Sequence, residues 1–207
     1  MLDWREGRHG RARVAAAVLA GGQGRRLGGV VKPLLVVGGR RIIDRQLEIL
    51  APLFDRIAIV ANDPAPFAGL EIPVIADRKG PGQGPLAGLD AALAWLPADL
   101  DAVVCVAADM PFLAPALLAG LRDAAPAAAL VPRPSSGPEP LCARYHRSLA
   151  PVVAASLAAG TRAMHAFLDV LVSHSDLTWL DEPALRLLDP DLRTFTNINT
   201  PGDLSQP

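Results

Sequence analysis

A glycine-rich loop near the start of the chain carries residue types that bind phosphate. An apolar run at residues 14–20 leads into five glycines, Arg25, Arg26 and Lys32. Glycine lets backbone amides approach a ligand closely, and arginine and lysine neutralise phosphate charge. The apolar run is typical of a buried strand. We therefore predict a strand followed by a loop that holds a nucleoside triphosphate; the alternative is a solvated glycine turn with incidental charges.

Two common glycine-loop motifs do not fit this segment. A P-loop needs Ser or Thr directly after its lysine, but Lys32 is followed by Pro33. A dinucleotide-binding fingerprint that starts at Gly22 needs a third glycine where the chain has Leu27. The loop therefore indicates phosphate binding of another kind.

Two aspartates stand where predicted strands end. Asp109 follows the apolar run 102–108, where a lone acid is costly to desolvate unless it meets a cation or hydrogen-bond donors. Mg²⁺ suits it, because this ion binds a few carboxylates together with substrate phosphate oxygens; the alternative is a helix cap. Asp77 closes another strand and could bind a ribose hydroxyl, make a second metal contact, or pair with Arg78.

Other segments also suit a ligand site. Residues 80–88 form a second glycine-rich loop that opens a helix, whose N–H groups could face a ligand. The alternative is a plain loop in which Gly88 allows close helix packing. Asn197 and Asn199 either form an Asx-turn and helix cap or line a substrate pocket. The four histidines show no pairing, so we expect them on the surface.

Strands and helices alternate along the sequence, which predicts βαβ units and a mainly parallel sheet. Gly21, Asn62, Asp77 and Asp109 each follow a predicted strand. Because ligands bind beyond the carboxyl ends of such strands, we expect these residues to share one crevice. The predicted strands are 14–20, 56–61, 73–76, 102–108, 127–131 and 141–145, and a last strand is expected to include Phe195. The predicted helices are 40–50, 85–96, 114–124, 149–159 and 162–171. Residues 132–140 are predicted to form a mobile loop near the site.

Composition narrows the class of protein. The chain has 207 residues, of which 51% are apolar and 4% aromatic, so we expect one domain over residues 14–207 with a core of Ala, Val and Leu. A net charge of −1 argues against a general binder of nucleic acid or anionic membranes. Cys105 and Cys142 have no metal-binding spacing, and a disulfide between them stays open. No stretch approaches the ~20 apolar residues of a membrane span, so we expect a cytoplasmic protein with a flexible extension at residues 1–13.

Several motifs together resemble one family. They are Leu19-Ala20-Gly21-Gly22 through Arg26, Gly28-Gly29 and Lys32; Gly84-Pro85-Leu86-Ala87-Gly88; Asp109-Met110-Pro111; and the run from Asn197 to Leu204, with weaker matches at residues 139–145 and 160–162. In order and content they are similar to the molybdenum cofactor guanylyltransferases, the MobA family. The resemblance covers residues 14 to about 205 and implies a Rossmann-like, three-layer nucleotidyltransferase fold with a mainly parallel sheet.

The resemblance also implies a reaction and a set of roles. The terminal phosphate of molybdenum-bound molybdopterin would attack the α-phosphate of GTP and release pyrophosphate. Molybdoenzymes or their chaperones are candidate protein partners. Leu19, Ala20 and Gly21 would contact GTP through their backbone, Lys32 would stabilise phosphate charge, Asp77 would contact the nucleotide, Asp109 would bind Mg²⁺, and Arg26 would assist the departing pyrophosphate. Gly22, Asn62, Gly88, Asn197 and Asn199 complete the predicted nucleotide and substrate site.

The chain departs from the family pattern at three positions. It has Val31 in place of the usual aspartate before the loop lysine, Ala108 in place of a cysteine, and Val60 where the family has an asparagine, with Asn62 two residues further on. The choice between guanine and cytosine therefore stays open. The alternatives are a related cytidylyltransferase, another cofactor or sugar nucleotidyltransferase, and a non-catalytic nucleotide-binding protein.

Overall fold

The fold is a central seven-stranded sheet between two layers of helices. A computed structural model describes residues 13–21, 31–78, 80, 82–174 and 176–198. The sheet contains β1 (Val14–Leu19), β4 (Ile57–Val60), β5 (Val74–Ile75), β6 (Ala102–Ala107), β7 (Ala129–Arg133), β8 (Cys142–His146) and β9 (Leu177–Asp181) in the order β5-β4-β1-β6-β8-β7-β9. Only β8 runs antiparallel to its neighbours in this sheet. The predicted mainly parallel α/β fold is confirmed.

Six α-helices in the described part of the chain cover the two faces of the sheet. They are α1 (Ile42–Leu50), α2 (Pro85–Trp95), α3 (Pro115–Asp123), α4 (Ala150–Ala158), α5 (Met164–Ser173) and α6 (Glu182–Leu188). The core cluster on one face, called here the α2 face, contains side chains of α2, α4 and α5. The cluster on the other, the α1 face, contains side chains of α1, α3 and α6.

The two central strands supply both clusters. Because successive strand side chains point to opposite faces, Ala15 and Ala17 of β1 join the α2 face whereas Ala16 and Val18 join the α1 face. All four side chains are fully buried. A strand buried on both faces appears as a continuous apolar run, which is why the sequence pattern identified it.

The predicted elements are found within two residues of their expected bounds, with some corrections. The strand expected around Phe195 is wrong: residues 193–195 form a short 3-10 helix. The chain enters it through Leu192 at a φ of +54°, and the Asp189 carboxylate accepts hydrogen bonds from the N–H groups of Arg193 and Thr194. The last strand is β9 instead, and α6 was not predicted.

Two further corrections concern loops. Arg40 and Arg41, expected in a helix, form β3 (Arg40–Arg41), which pairs with β2 (Val36–Val37) through a turn with positive φ at two glycines. Residues 132–140 begin inside β7 rather than forming one loop. The backbone N–H of Glu139 donates to the carbonyl of Pro132 at 2.9 Å and ties the two ends of this stretch together.

The structure also bears on the predictions for the histidines, the N-terminal extension and membrane spans. His165 and His174 are exposed and His146 is partly exposed, whereas His9 and nearly all of the predicted extension at residues 1–13 lie outside the described residues. Within the described ranges, no helix is both long and apolar enough to cross a membrane.

Candidate active site

The residues predicted to share a crevice lie at the same end of the sheet. Gly21, Asn62, Asp77 and Asp109 each lie two positions beyond the end of β1, β4, β5 or β6. The parallel register aligns these strand ends, because Leu19 lies opposite both Val60 and Ala107, and Val60 lies opposite Ile75. The four loops therefore leave the sheet side by side, as expected for a ligand site in this class of sheet.

Asn62 and Asp77 bind each other at one side of the site. The Asn62 amide nitrogen donates to Asp77 Oδ2 at 3.0 Å, and the backbone N–H of Asp77 donates to Asn62 Oδ1 at 3.0 Å. A Cβ atom on Gly21 would lie 4.0 Å from the same Asp77 oxygen. The start of the glycine-rich loop therefore lies beside this carboxylate.

The electrostatic setting of Asp77 is unusual for an aspartate. Burial raises its pKa above the ordinary value, the hydrogen bond from Asn62 opposes this rise, and the nearby negative charge of Asp90 adds to it. Arg78 lies with Nη1 3.8 Å from the buried Asp90 carboxylate. The Arg78 ion pair thus ties the loop after β5 to helix α2.

Lys32 and Asp109 meet at the other side. Lys32 begins a short 3-10 helix, and its Nζ donates to Asp109 Oδ2 at 2.9 Å. The two side chains are 25% and 21% exposed, so this charge pair is accessible to a ligand while partly shielded from water. The fixed φ of Pro33 suits its position in the first turn of this short helix.

The turn that carries Asp109 is held by neighbouring backbone. The N–H of Ala108 donates to the carbonyl of Leu19 at 3.1 Å, and the N–H of Ile198 donates to the carbonyl of Asp109 at 2.9 Å. Ile198 is buried in a small cluster with Val37 and Ile42. This contact brings Asn197 to the site, and its buried Oδ1 has no hydrogen-bond partner among the described residues.

The second glycine-rich loop is packed rather than open. The N–H of Leu86, in the first turn of α2, donates to the carbonyl of Arg162 at 3.2 Å, and that of Ala87 donates to Gly84 at 3.2 Å. Gly88 is buried, and a Cβ there would lie 3.5 Å from Leu19 Cδ2. The contacts of Gly88 are therefore those of close helix packing, and its role at the nucleotide stays a prediction.

Glu139 lies close to the candidate site, and the sequence analysis did not single it out. The antiparallel register of β6 and β8 ends at Val106 opposite Cys142, and Asp109 and Glu139 each lie three residues beyond that pair. Burial raises the pKa of Glu139 to about 7, and the negative charge of Asp109 contributes to the rise. The sequence signal that points to Glu139 is the run at residues 139–145, one of the weaker matches to the family.

The carboxylate at the strand ends suits a divalent cation that takes most of its ligands from substrate phosphates. Among the described residues, no group of three or more His, Cys, Asp or Glu side chains forms a metal cluster. Mg²⁺ characteristically needs only one or two carboxylates when phosphates supply further oxygens. Asp109 offers one accessible carboxylate at the strand ends, so the residues present suit that mode of binding.

The predicted site residues fall into two groups. Nine of them are described and lie on the strands, helices and loops named above: Leu19, Ala20, Gly21, Lys32, Asn62, Asp77, Gly88, Asp109 and Asn197. Gly22, Arg26 and Asn199 lie outside the described residues, so their predicted roles stay predictions.

Comparison with known proteins decides the family. The model of the MobA-like NTP transferase domain matches residues 16–177. The chain belongs to this family. The MobA-like chain is 37% identical over 196 residues to a molybdenum cofactor guanylyltransferase from Cereibacter sphaeroides, covering 94% of this chain and 95% of the relative. It is 34% identical to one from Desulfosudis oleivorans, with 93% of each covered.

Solved structures agree with this assignment. The MobA-like chain is similar to the molybdopterin-guanine dinucleotide biosynthesis protein A from Archaeoglobus fulgidus, with a TM-score of 0.76, 33% identity and coverage of 92% and 94%. The inositol-1-phosphate CTP transferase from T. maritima shares the fold alone, at a TM-score of 0.70 and 15% identity over 95% and 93% of the two chains. The MobA-like protein is a nucleotidyltransferase.

Proposed function

We propose that this protein transfers GMP from GTP to molybdenum-bound molybdopterin and releases pyrophosphate. The observation that carries the proposal is the Lys32–Asp109 pair, with 2.9 Å between Nζ and Oδ2, at the strand ends where Asn62 and Asp77 also lie. The names of relatives aligned over 94% of the chain support the choice of GTP and acceptor. The proposed location is the cytoplasm, with molybdoenzymes or their chaperones as candidate partners.

The proposed reaction is an in-line displacement at phosphorus. An oxygen of the acceptor's terminal phosphate forms a bond to the α-phosphorus of GTP. The bond from that phosphorus to the oxygen bridging the β-phosphate breaks, and pyrophosphate leaves with the electron pair. Such a reaction needs positioning and charge neutralisation more than a protein nucleophile, which fits a site built from one lysine, glycine backbone and carboxylates.

The described residues divide these tasks. Lys32 places a positive charge at the phosphates, where it stabilises the charge that develops as pyrophosphate leaves. Asp77 and Asn62 orient the nucleoside from the side of the site opposite Lys32 and Asp109. Asp109 would hold Mg²⁺, which neutralises charge on the phosphate oxygens when bound. Because Lys32 already contacts Asp109, this carboxylate also orients the lysine.

A pyrophosphate-release assay tests the proposal. Purified protein is supplied with GTP, Mg²⁺ and molybdenum-loaded molybdopterin, and Asp109→Asn is compared with Asp101→Asn. Asp101 lies just before the other end of the same strand, and its exposed carboxylate pairs with Arg13. We expect Asp109→Asn to lower the rate by about 100-fold or more and Asp101→Asn to leave it unchanged. Equal rates for wild type and Asp109→Asn would overturn the assignment of Asp109.

A related cytidylyltransferase is the second candidate function. The observation that leaves the choice of base open is at β4, where Val60 stands in place of the family's asparagine and is 1% exposed. Its side chain therefore offers no polar contact to a base, and Asn62 is already bound to Asp77. Replacing GTP with CTP in the same assay separates the two, because a higher kcat/KM for CTP would move the protein to the cytidylyl branch.

Tight nucleotide binding without turnover would indicate the non-catalytic alternative. The measurement is GTP binding by calorimetry beside the pyrophosphate assay on the same preparation. We expect both binding and turnover in the wild-type protein.

A further inference from the structure

Gln46 is a fully buried polar side chain on the apolar face of α1. Its neighbours on that face are Ile42, Ile43 and Leu50, all with 0% exposure. Gln46 is likewise 0% exposed. A buried amide is costly unless its polar atoms are hydrogen-bonded, and an apolar residue of similar size would fill the same volume without that cost. The choice of glutamine at this position therefore calls for a specific partner.

The partners of Gln46 are the two carbonyls that bracket Asp109. Its Nε2 donates to the carbonyl of Ala107 at 2.8 Å and to the carbonyl of Met110 at 2.9 Å. The backbone bond within this turn, from the N–H of Met110 to the carbonyl of Ala107, is longer at 3.3 Å. The side chain of Gln46 therefore closes the turn more tightly than the turn closes itself.

The donor atoms of Gln46 are used while its acceptor is not. Gln46 Oε1 is buried and has no hydrogen-bond partner among the described residues. An unsatisfied buried oxygen costs about 1–3 kcal/mol. A side chain selected for packing alone would avoid this cost, whereas one selected to hold two carbonyls accepts it.

We propose that Gln46 is a positioning residue that orients the carboxylate of Asp109 by clamping the turn from Ala107 to Met110. The proposal rests on the proposed function, because it takes Asp109 as the carboxylate that serves nucleotidyl transfer. Gln46 grips the turn from the α1 side, while Ile198 donates to the carbonyl of Asp109 from the C-terminal segment. Asp109 is thereby held against Lys32 without either contact using its carboxylate.

The test compares Gln46→Met with Ile43→Val. Methionine keeps the length and volume of glutamine but donates no hydrogen bond. Ile43→Val removes one buried methylene group from the same helix face and costs about 0.5–1.5 kcal/mol, so it reports a loss of stability alone. If Gln46→Met does not fold, Gln46→Leu replaces it.

Two readouts are independent of turnover. In the protein without added metal, we expect Gln46→Met to speed amide hydrogen exchange in the segment 107–110 by about tenfold or more. By electron paramagnetic resonance with GTP present, we expect Mn²⁺ affinity to fall by about tenfold, the usual scale for losing a group that orients a metal ligand. Ile43→Val should change neither beyond twofold.

The kinetic readout distinguishes positioning from general damage. We expect Gln46→Met to lower kcat/KM for the GTP–metal complex by about tenfold or more, while GTP affinity measured without metal stays within twofold, because the hydrogen bonds of Gln46 go to the turn that carries Asp109. Wild-type exchange and Mn²⁺ affinity in Gln46→Met would overturn the proposal. Mn²⁺ binding by wild-type protein without pyrophosphate release would instead contradict the proposed function and leave the clamp standing.

Discussion

At the residue scale, the site is a set of charged groups that each have a defined partner. Lys32 binds Asp109, Asn62 binds Asp77, and Arg78 lies beside Asp90. A partly buried charge that is already oriented needs little reorganisation when a polyphosphate arrives. Such preorganisation is generally the largest electrostatic contribution to catalysis.

Replacing Lys32 by Gln tests its charge. We expect kcat/KM for GTP to fall by about 100-fold or more, because the variant keeps a hydrogen-bond donor but loses the positive charge at the phosphates. Thermal stability should change little, since an accessible ion pair contributes about 0–1 kcal/mol. Arg40→Gln is the matched control: Arg40 pairs with Glu48 on the surface. A Lys32→Gln variant with the wild-type kcat/KM would rule out this role.

Glu139 makes stability depend on pH. Its pKa is about 7 in the folded protein against an ordinary value of 4.5, so the folded state binds this proton more tightly than the unfolded state. The resulting stabilisation is present below pH 4.5 and is lost as pH rises toward 7. We expect Glu139→Gln to abolish this part of the pH dependence and to be more stable than wild type at pH 8.

Urea unfolding at several pH values in metal-free buffer measures this effect. Curves of unfolding free energy for wild type and Glu139→Gln should diverge between pH 4.5 and 7. Parallel curves over that range would contradict the raised pKa.

At the scale of elements, the start of α2 depends on a contact with the loop between α4 and α5. Gly84 has a φ of +78°, and a Cβ there would lie 2.7 Å from the backbone oxygen of Arg162. That oxygen accepts the N–H of Leu86. The same backbone atom thus excludes a side chain at Gly84 and completes the hydrogen bonding of the first turn.

The glycines of this loop provide a matched pair of variants. Gly82 has a φ of +81°, but no described residue lies within 4 Å of its would-be Cβ. Alanine at Gly82 or Gly84 would therefore face a positive φ, and only Gly84→Ala adds the collision. We expect Gly84→Ala to be less stable than Gly82→Ala by about 1–3 kcal/mol, measured by urea unfolding. Equal losses of unfolding free energy in the two variants would show that the backbone at Arg162 moves aside without destabilising the protein.

At the scale of the whole molecule, the sheet separates the two cysteines. Cys105 belongs to the cluster on the α2 face and Cys142 to the cluster on the α1 face, although β6 and β8 are neighbours. Both are fully buried free thiols, and burial raises the pKa of Cys105 to about 12 and also raises that of Cys142. The disulfide left open by the sequence is therefore excluded by the alternation of strand side chains.

Thiol labelling tests this separation. We expect Ellman's reagent to react with neither cysteine in the native protein and with both in denaturant, at a native rate limited by global unfolding. A variant with a destabilised core, such as Leu121→Ala, should label faster by the factor by which its unfolding equilibrium constant rises. Rapid native labelling of either thiol would show that the sheet opens locally around β6 or β8.

The sequence by itself determined the four strands that lead into the site, the order of the site loops and the residue types within them. Apolar runs and helical spacing are local properties, and they located β1, β4, β5 and β6 with Gly21, Asn62, Asp77 and Asp109 directly after them. The strand expected around Phe195 failed because the β-propensity of residues such as Thr and Phe is a weak preference that tertiary context overrides, and there the side chain of Asp189 binds the backbone of a turn.

The tertiary structure alone decided which of these residues touch. Lys32 contacts Asp109, which lies 77 positions away in the sequence. Gln46 contacts the same turn at Ala107 and Met110, which lie 61 and 64 positions away. Glu139 lies near Asp109 because the register of β6 and β8 places it there, and Arg162 lies at α2 because two helices pack beside it. Such contacts follow from strand order and register, which no local pattern of residues encodes.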